Sequence, residues 1–115
     1  MADKPLSWVG TALEDLRHFP EAARRQVGFE LRRVQAGLEP SDWKPMTSVG
    51  PGVQEIRVDV GTAHRVFYVA KFAEAVYVLH AFEKRTRQTA SLDLELGRRR
   101  YRDLLGWRRE QKEAK

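Results

Sequence analysis

The sequence predicts a single α+β domain: an N-terminal helical hairpin packed on an antiparallel β-meander, followed by a basic C-terminal helix. Three observations predict it. Apolar residues recur at helical spacing as far as Leu38, the period changes to two at Gln54, and helical spacing returns with an arginine-rich face from Leu92. With 115 residues, 42% of them hydrophobic, the chain has room for one packed core and not two. The expected domain is 1–109, with 110–115 as a frayed tail.

Taken in order, Pro5-Leu6-Ser7-Trp8-Val9 suits a short edge strand. Between Thr11 and Phe19, Leu13 and Leu16 stand three apart among charged residues, which suits a short helix. Phe19-Pro20 ends it, because a residue before proline is pushed out of helical torsions, and Pro20 opens the next helix. There Ala23, Val27, Leu31, Val34 and Leu38 share one narrow face, and Gly37 is the expected stop. Residues 39–52 carry Pro40, Pro45, Gly50, Pro51 and Gly52 and read as a loop.

Ile56, Val58 and Val60 then alternate with Glu55, Arg57 and Asp59. His64–Phe72 and Ala75–Glu83 are apolar on both sides, as central strands are. A three-residue turn at Val60-Gly61-Thr62, with Gly61 left-handed, pairs Arg57 with Arg65. A two-residue turn would send Arg57 to the far face, so the three-residue turn is the expectation. If Ala73-Glu74 is a two-residue loop, Phe67 faces His80 and Arg65 faces Phe82. One face then holds Arg65, Phe67, His80, Phe82 and Lys84. The other holds Val66, Tyr68, Tyr77 and Leu79, and is expected to meet the helices.

In the last helix Leu92, Leu96, Tyr101, Leu104, Leu105 and Trp107 form a broad apolar arc, and Glu95, Arg98, Arg99, Arg102 and Arg109 crowd the rest. The charge is unevenly placed. Residues 1–83 hold 10 basic and 11 acidic side chains, and residues 84–115 hold 11 and 5. A one-sided basic excess suits a polyanion or an acidic protein partner, or an ordinary solvated helix face.

The absences narrow the chemistry. There is no cysteine, so disulfide scaffolds, thiol catalysis and cysteine zinc sites are excluded. Histidines at 18, 64 and 80 have no metal-site spacing, and no metal or cofactor is expected. No apolar run approaches the ~20 residues of a membrane span, and no signal-peptide pattern is present, so a cytoplasmic protein with no membrane partner is expected. What remains is a sheet face combining Arg, His and Lys with aromatics. Such a set can run phosphodiester chemistry: a cation stabilises the phosphorane, a base takes the 2′-hydroxyl proton, and an acid protonates the leaving oxygen. Phe67 and Phe82 could stack unpaired bases. Each residue also has a plainer reading. His80 suits a satisfied core histidine, Lys84 a solvated strand end, and Arg57 a partner of Glu55 or Asp59.

The segments Lys44-Pro45-Met46, Gly50-Pro51-Gly52-Val53-Gln54-Glu55-Ile56-Arg57, His64-Arg65-Val66-Phe67-Tyr68 and Val78-Leu79-His80-Ala81-Phe82-Glu83-Lys84, running on to Thr89, resemble the phage-derived Gp49-like, HigB-type toxins. These belong to the RelE/ParE superfamily of type II toxin–antitoxin systems. Glu95-Leu96-Gly97-Arg98-Arg99-Arg100-Tyr101 is in the same manner, and the resemblance runs from about Pro5 to Tyr101. It implies a RelE-like fold and a metal-independent endoribonuclease that cuts mRNA on the ribosome. It also implies a cognate helix-turn-helix antitoxin as partner. Arg57, Arg65 and Lys84 match basic positions associated with cleavage, with His80 as an alternative proton acceptor to Lys84. Lys44, with Arg98 and Arg102 on the basic helix, is assigned to RNA docking. Tyr101, grouped with the RNA-binding residues, matches a position where members differ in whether histidine or tyrosine fills an acid/base role. The ParE branch shares the fold but poisons DNA gyrase, and a phage-derived binding protein without activity is a further alternative.

Overall fold

The computed structural model describes residues 3–114. Among these, the elements run β1 (Leu6–Trp8), α1 (Ala12–Arg17), α2 (Glu21–Gln35), β2 (Trp43–Pro45), β3 (Val53–Val60), β4 (Thr62–Val69), β5 (Val76–Lys84) and α3 (Ser91–Glu113). The strands form one sheet in the order β1-β5-β4-β3-β2. The fold is α+β. The sheet is larger than the expected meander and mixed: β3, β4 and β5 pair antiparallel, while β1 runs parallel to β5.

Two features lie outside the sequence reading. β2 forms inside the proline-rich stretch taken as loop, its Lys44 opposite Glu55. Pro45, at the end of this short edge strand, sits where a missing N–H is tolerated. The last helix extends past its apolar arc to Glu113.

The helix stops follow local chemistry. After α2, Gly37 takes φ +85°, and the amides of Gly37 and Leu38 donate to the carbonyls of Val34 and Arg33 at 3.0 and 2.9 Å. That is the Schellman closure, which needs a left-handed residue and so favours glycine. It also turns Leu38 away from the α2 face. Leu38 is exposed, whereas Ala23, Val27, Leu31 and Val34 are buried.

The sheet has an apolar layer on each side. Ile56, Val58, Val66, Tyr68, Val76 and Val78 pack with Leu16 of α1, Phe19, and Val27 and Leu31 of α2. In this layer α1 lies mainly on β5 and α2 on β3, so each helix is anchored on the sheet. The other layer joins Val53, Phe67, Val69, Tyr77 and Leu79 to Tyr101 and Leu104 of α3. Tyr77 and Leu79 were expected beside Val66 and Tyr68. The register explains the change: Phe67 pairs with His80 but Tyr68 pairs with Val78, leaving Leu79 as an extra residue. This β-bulge reverses the facing of everything before it on β5.

α3 approaches the sheet through Gly97. A Cβ there would lie 2.9 Å from Phe67 and 3.1 Å from Val49. Gly97→Val is therefore expected to destabilise the fold by about 1–3 kcal/mol, the usual cost of overpacking. Gly106→Ala, where an added Cβ meets nothing within 4 Å, should be neutral or slightly stabilising; urea denaturation of both variants checks the contrast.

Candidate functional site

The turn at Gly61, with φ +73°, sets the site. It pairs Arg57 with Arg65, Glu55 with Phe67 and Asp59 with Ala63, so the polar residues of β3 share the face that α3 covers. Cross-strand pairing adds Lys44 from β2 and Phe82 and Lys84 from β5 to that same face. The apolar half of the face lies under α3, whose first turn is tied to β5 by Asp93. Beyond it stand Lys44, Arg57, Arg65 and Lys84.

Glu55 sits among these four cations. It has no solvent exposure, and neither carboxylate oxygen has a hydrogen-bond partner. Its nearest cation is Arg65, whose Nε lies 3.8 Å from Oε1. Burial pushes the Glu55 carboxyl above the ordinary carboxylate range, and Lys44, Arg65, Lys84 and Arg57 pull it back only in part. Arg65 is itself buried; its Nη1 donates to Asp59 at 2.8 Å and to the His64 carbonyl at 2.9 Å. Arg65 in turn holds Asp59 below the usual carboxylate range, chiefly through that hydrogen bond. The Nε atoms of Arg57 and Arg65 are both buried without an acceptor. Two guanidiniums and a carboxylate thus meet with unmet hydrogen-bonding capacity at one place.

Lys84, the last residue of β5, is half-buried. Burial lowers its pKa and the positive Arg65 lowers it further, against a smaller opposing pull from Glu55. The pKa values of the Glu55 carboxyl and the Lys84 ammonium are thus shifted toward each other on one face, a feature that clusters at functional sites.

His80 is held apart from this cluster. It is buried, and Nε2 lies 2.8 Å from Asp93 of α3. Arg100 Nη1 lies 3.4 Å from Nδ1, an arrangement that assigns the proton to Nε2 and makes Asp93 its acceptor. Desolvation lowers its pKa more than Asp93 raises it. Arg100 also donates to the Leu79 carbonyl at 3.0 Å and to Thr11 Oγ1 at 2.7 Å. The group therefore ties β5 to α1 and α3 in a structural network.

Several expected RNA contacts are packing residues in this arrangement. Phe67 is fully buried against Gly97 and edge-on to Phe82, so it offers no face to a base. Phe82 is buried and stacked on His80 with ring centroids 4.9 Å apart. Tyr101 is buried over Gly50, its hydroxyl donating to the Pro51 carbonyl at 2.8 Å. On the α3 stripe, Arg98 donates to the Ser48 carbonyl at 2.8 Å, while Arg102 is exposed. Glu55 is the residue the site reading missed. The available signal was its position two before Arg57 on an alternating strand, which puts both on one face.

Among the described residues there is no group of three or more His, Asp or Glu able to hold a metal, and no helix long and apolar enough to cross a membrane.

A small α+β domain with a cation cluster at the open end of one sheet face defines the class of protein. The family profile described as phage derived protein Gp49-like (DUF891) matches residues 14–102. The chain belongs to that Gp49-like family, whose members are associated with RelE/HigB-like toxins. No curated protein matches it.

Proposed function

We propose that this protein is the toxin of a type II toxin–antitoxin system and acts as a metal-independent endoribonuclease on mRNA in the translating ribosome. The observation that carries the reading is the convergence of Lys44, Arg57, Arg65 and Lys84, from four strands, on one partly open face. Arg57 and Arg65 bind the scissile phosphate and offset charge on the phosphorane. Lys84, with its lowered pKa, accepts the 2′-hydroxyl proton. The buried His80–Asp93 pair leaves His80 tying β5 to α3. Lys44 and exposed arginines of α3, Arg102 among them, dock RNA. A helix-turn-helix antitoxin is the proposed partner.

Induced expression with mapping of mRNA 5′ ends tests the reading. New 5′ ends within translated regions, with halted protein synthesis, are expected. A DNA damage response without mRNA cleavage would turn the reading to a gyrase-directed toxin. Because guanidinium and ammonium groups supply the positive charge, cleavage on intact ribosomes is expected to persist in EDTA. Activity that is lost and returns only with a divalent ion would count against it.

A further inference from the structure

The cluster that is to receive a phosphate already contains an anion. From β2 Glu55 faces Lys44, from its own strand Arg57, from β4 Arg65 and from β5 Lys84. Asp59 is held by Arg65, and His80, in the same cross-strand row beyond Phe67, is held by Asp93 of α3. Glu55 has no hydrogen bond to either oxygen, no solvent exposure, and a 3.8 Å approach to Arg65. A carboxylate so placed is retained in charged form only by its cations. A phosphodiester drawing on the same cations would compete with it directly.

We propose that Glu55 is the resident counter-anion of the cation cluster and that it takes up a proton when an RNA phosphate enters. This rests on the RNA reading above. The step balances simply: one solvent proton adds to the Glu55 carboxylate, and the phosphate takes its place as the anion facing Arg57 and Arg65. Since burial already raises the Glu55 carboxyl, an added negative charge nearby raises it further, and the linkage runs both ways. RNA binding favours protonation, and lower pH favours RNA.

The test uses a short RNA fully 2′-O-methylated, which binds without being cleaved, at fixed ionic strength. For the natural chain the expected affinity rises by up to about tenfold per unit fall in pH, as for uptake of one proton. Calorimetry in buffers of different ionisation enthalpy should count close to one proton bound per RNA. Glu55→Gln should bind more tightly than the natural chain at pH 8 and lose most of the pH slope. A slope that survives in Glu55→Gln belongs to His80 or another group and overturns the proposal. So does a proton count near zero for the natural chain with RNA bound, a measurement that needs no variant and stands even if Glu55→Gln fails to fold. RNA that does not bind at any pH overturns both this proposal and the RNA reading, whereas pH-independent binding overturns this one alone.

Discussion

Replacing Lys84 with alanine is expected to slow RNA cleavage by ~10²-fold or more while leaving the fold intact. The separation of the two effects follows from where Lys84 stands. It is the last residue of β5, half-buried, and forms no ion pair among the described residues, so truncation removes little packing. Burial and Arg65 lower the pKa of its ammonium, the direction a proton acceptor needs. Single-turnover cleavage on ribosomes, alongside thermal melting, measures both. A natural melting temperature with a hundredfold slower rate supports the assignment. Full activity of Lys84→Ala would move the chemistry away from this strand end, and the exposed Arg102 of α3 would be the next residue to replace.

The second large effect falls on stability. Arg65→Ala is expected to cost about 3–5 kcal/mol, the range for removing one partner of a buried ion pair. Arg65 is 4% exposed and Glu55 is 0% exposed, so the carboxylate left behind keeps its desolvation cost and loses its nearest cation. The double variant Glu55→Gln/Arg65→Ala should recover a substantial part of the loss, because the unpaired buried charge is gone. The sign with pH follows. A buried carboxyl with a raised folded-state pKa penalises folding above that pKa, and the penalty fades as pH falls toward its ordinary value. Arg65→Ala should therefore be least stable at alkaline pH and regain stability on mild acidification. Urea denaturation across pH checks this. A cost below about 1 kcal/mol, with no dependence on the residue at 55, would show that Arg65 does not compensate Glu55.

In the proposed function the same arginine serves the fold and the site, and much of its placement was legible beforehand. The alternation of Ile56, Val58 and Val60 with Glu55, Arg57 and Asp59, and a glycine at 61 able to turn left-handed, were enough to pair Arg57 with Arg65 on one face. Local torsion and a period of two decide that much. The α2 face, its glycine stop and the amphipathic α3 were legible for the same reason: each depends on residues within a turn or two of one another.

What the sequence by itself determined was the α+β class, the helical segments, the strand segments other than β2, and the common face of Arg57, Arg65, Phe67, Phe82 and Lys84. Tertiary structure decided the rest. The bulge at Leu79 moved Tyr77 and Leu79 to the α3 side, and no local pattern marks it because β5 is apolar on both faces. The basic face of α3 was read from Arg98, Arg99, Arg102 and Arg109, and Arg100 follows the first two directly. Arg100 turns inward because it lies over the Leu79 carbonyl, Thr11 and His80, partners distant in sequence. β2, inside a stretch that reads as loop, and the parallel pairing of β1 depend on the sheet edges that were there to pair with. The burial of Glu55 likewise depends on four strands meeting, and its altered proton affinity comes from the water and charges that this meeting removes or brings near. Such solvent and cross-strand effects are properties of assembled surfaces, which spacing along the chain does not encode.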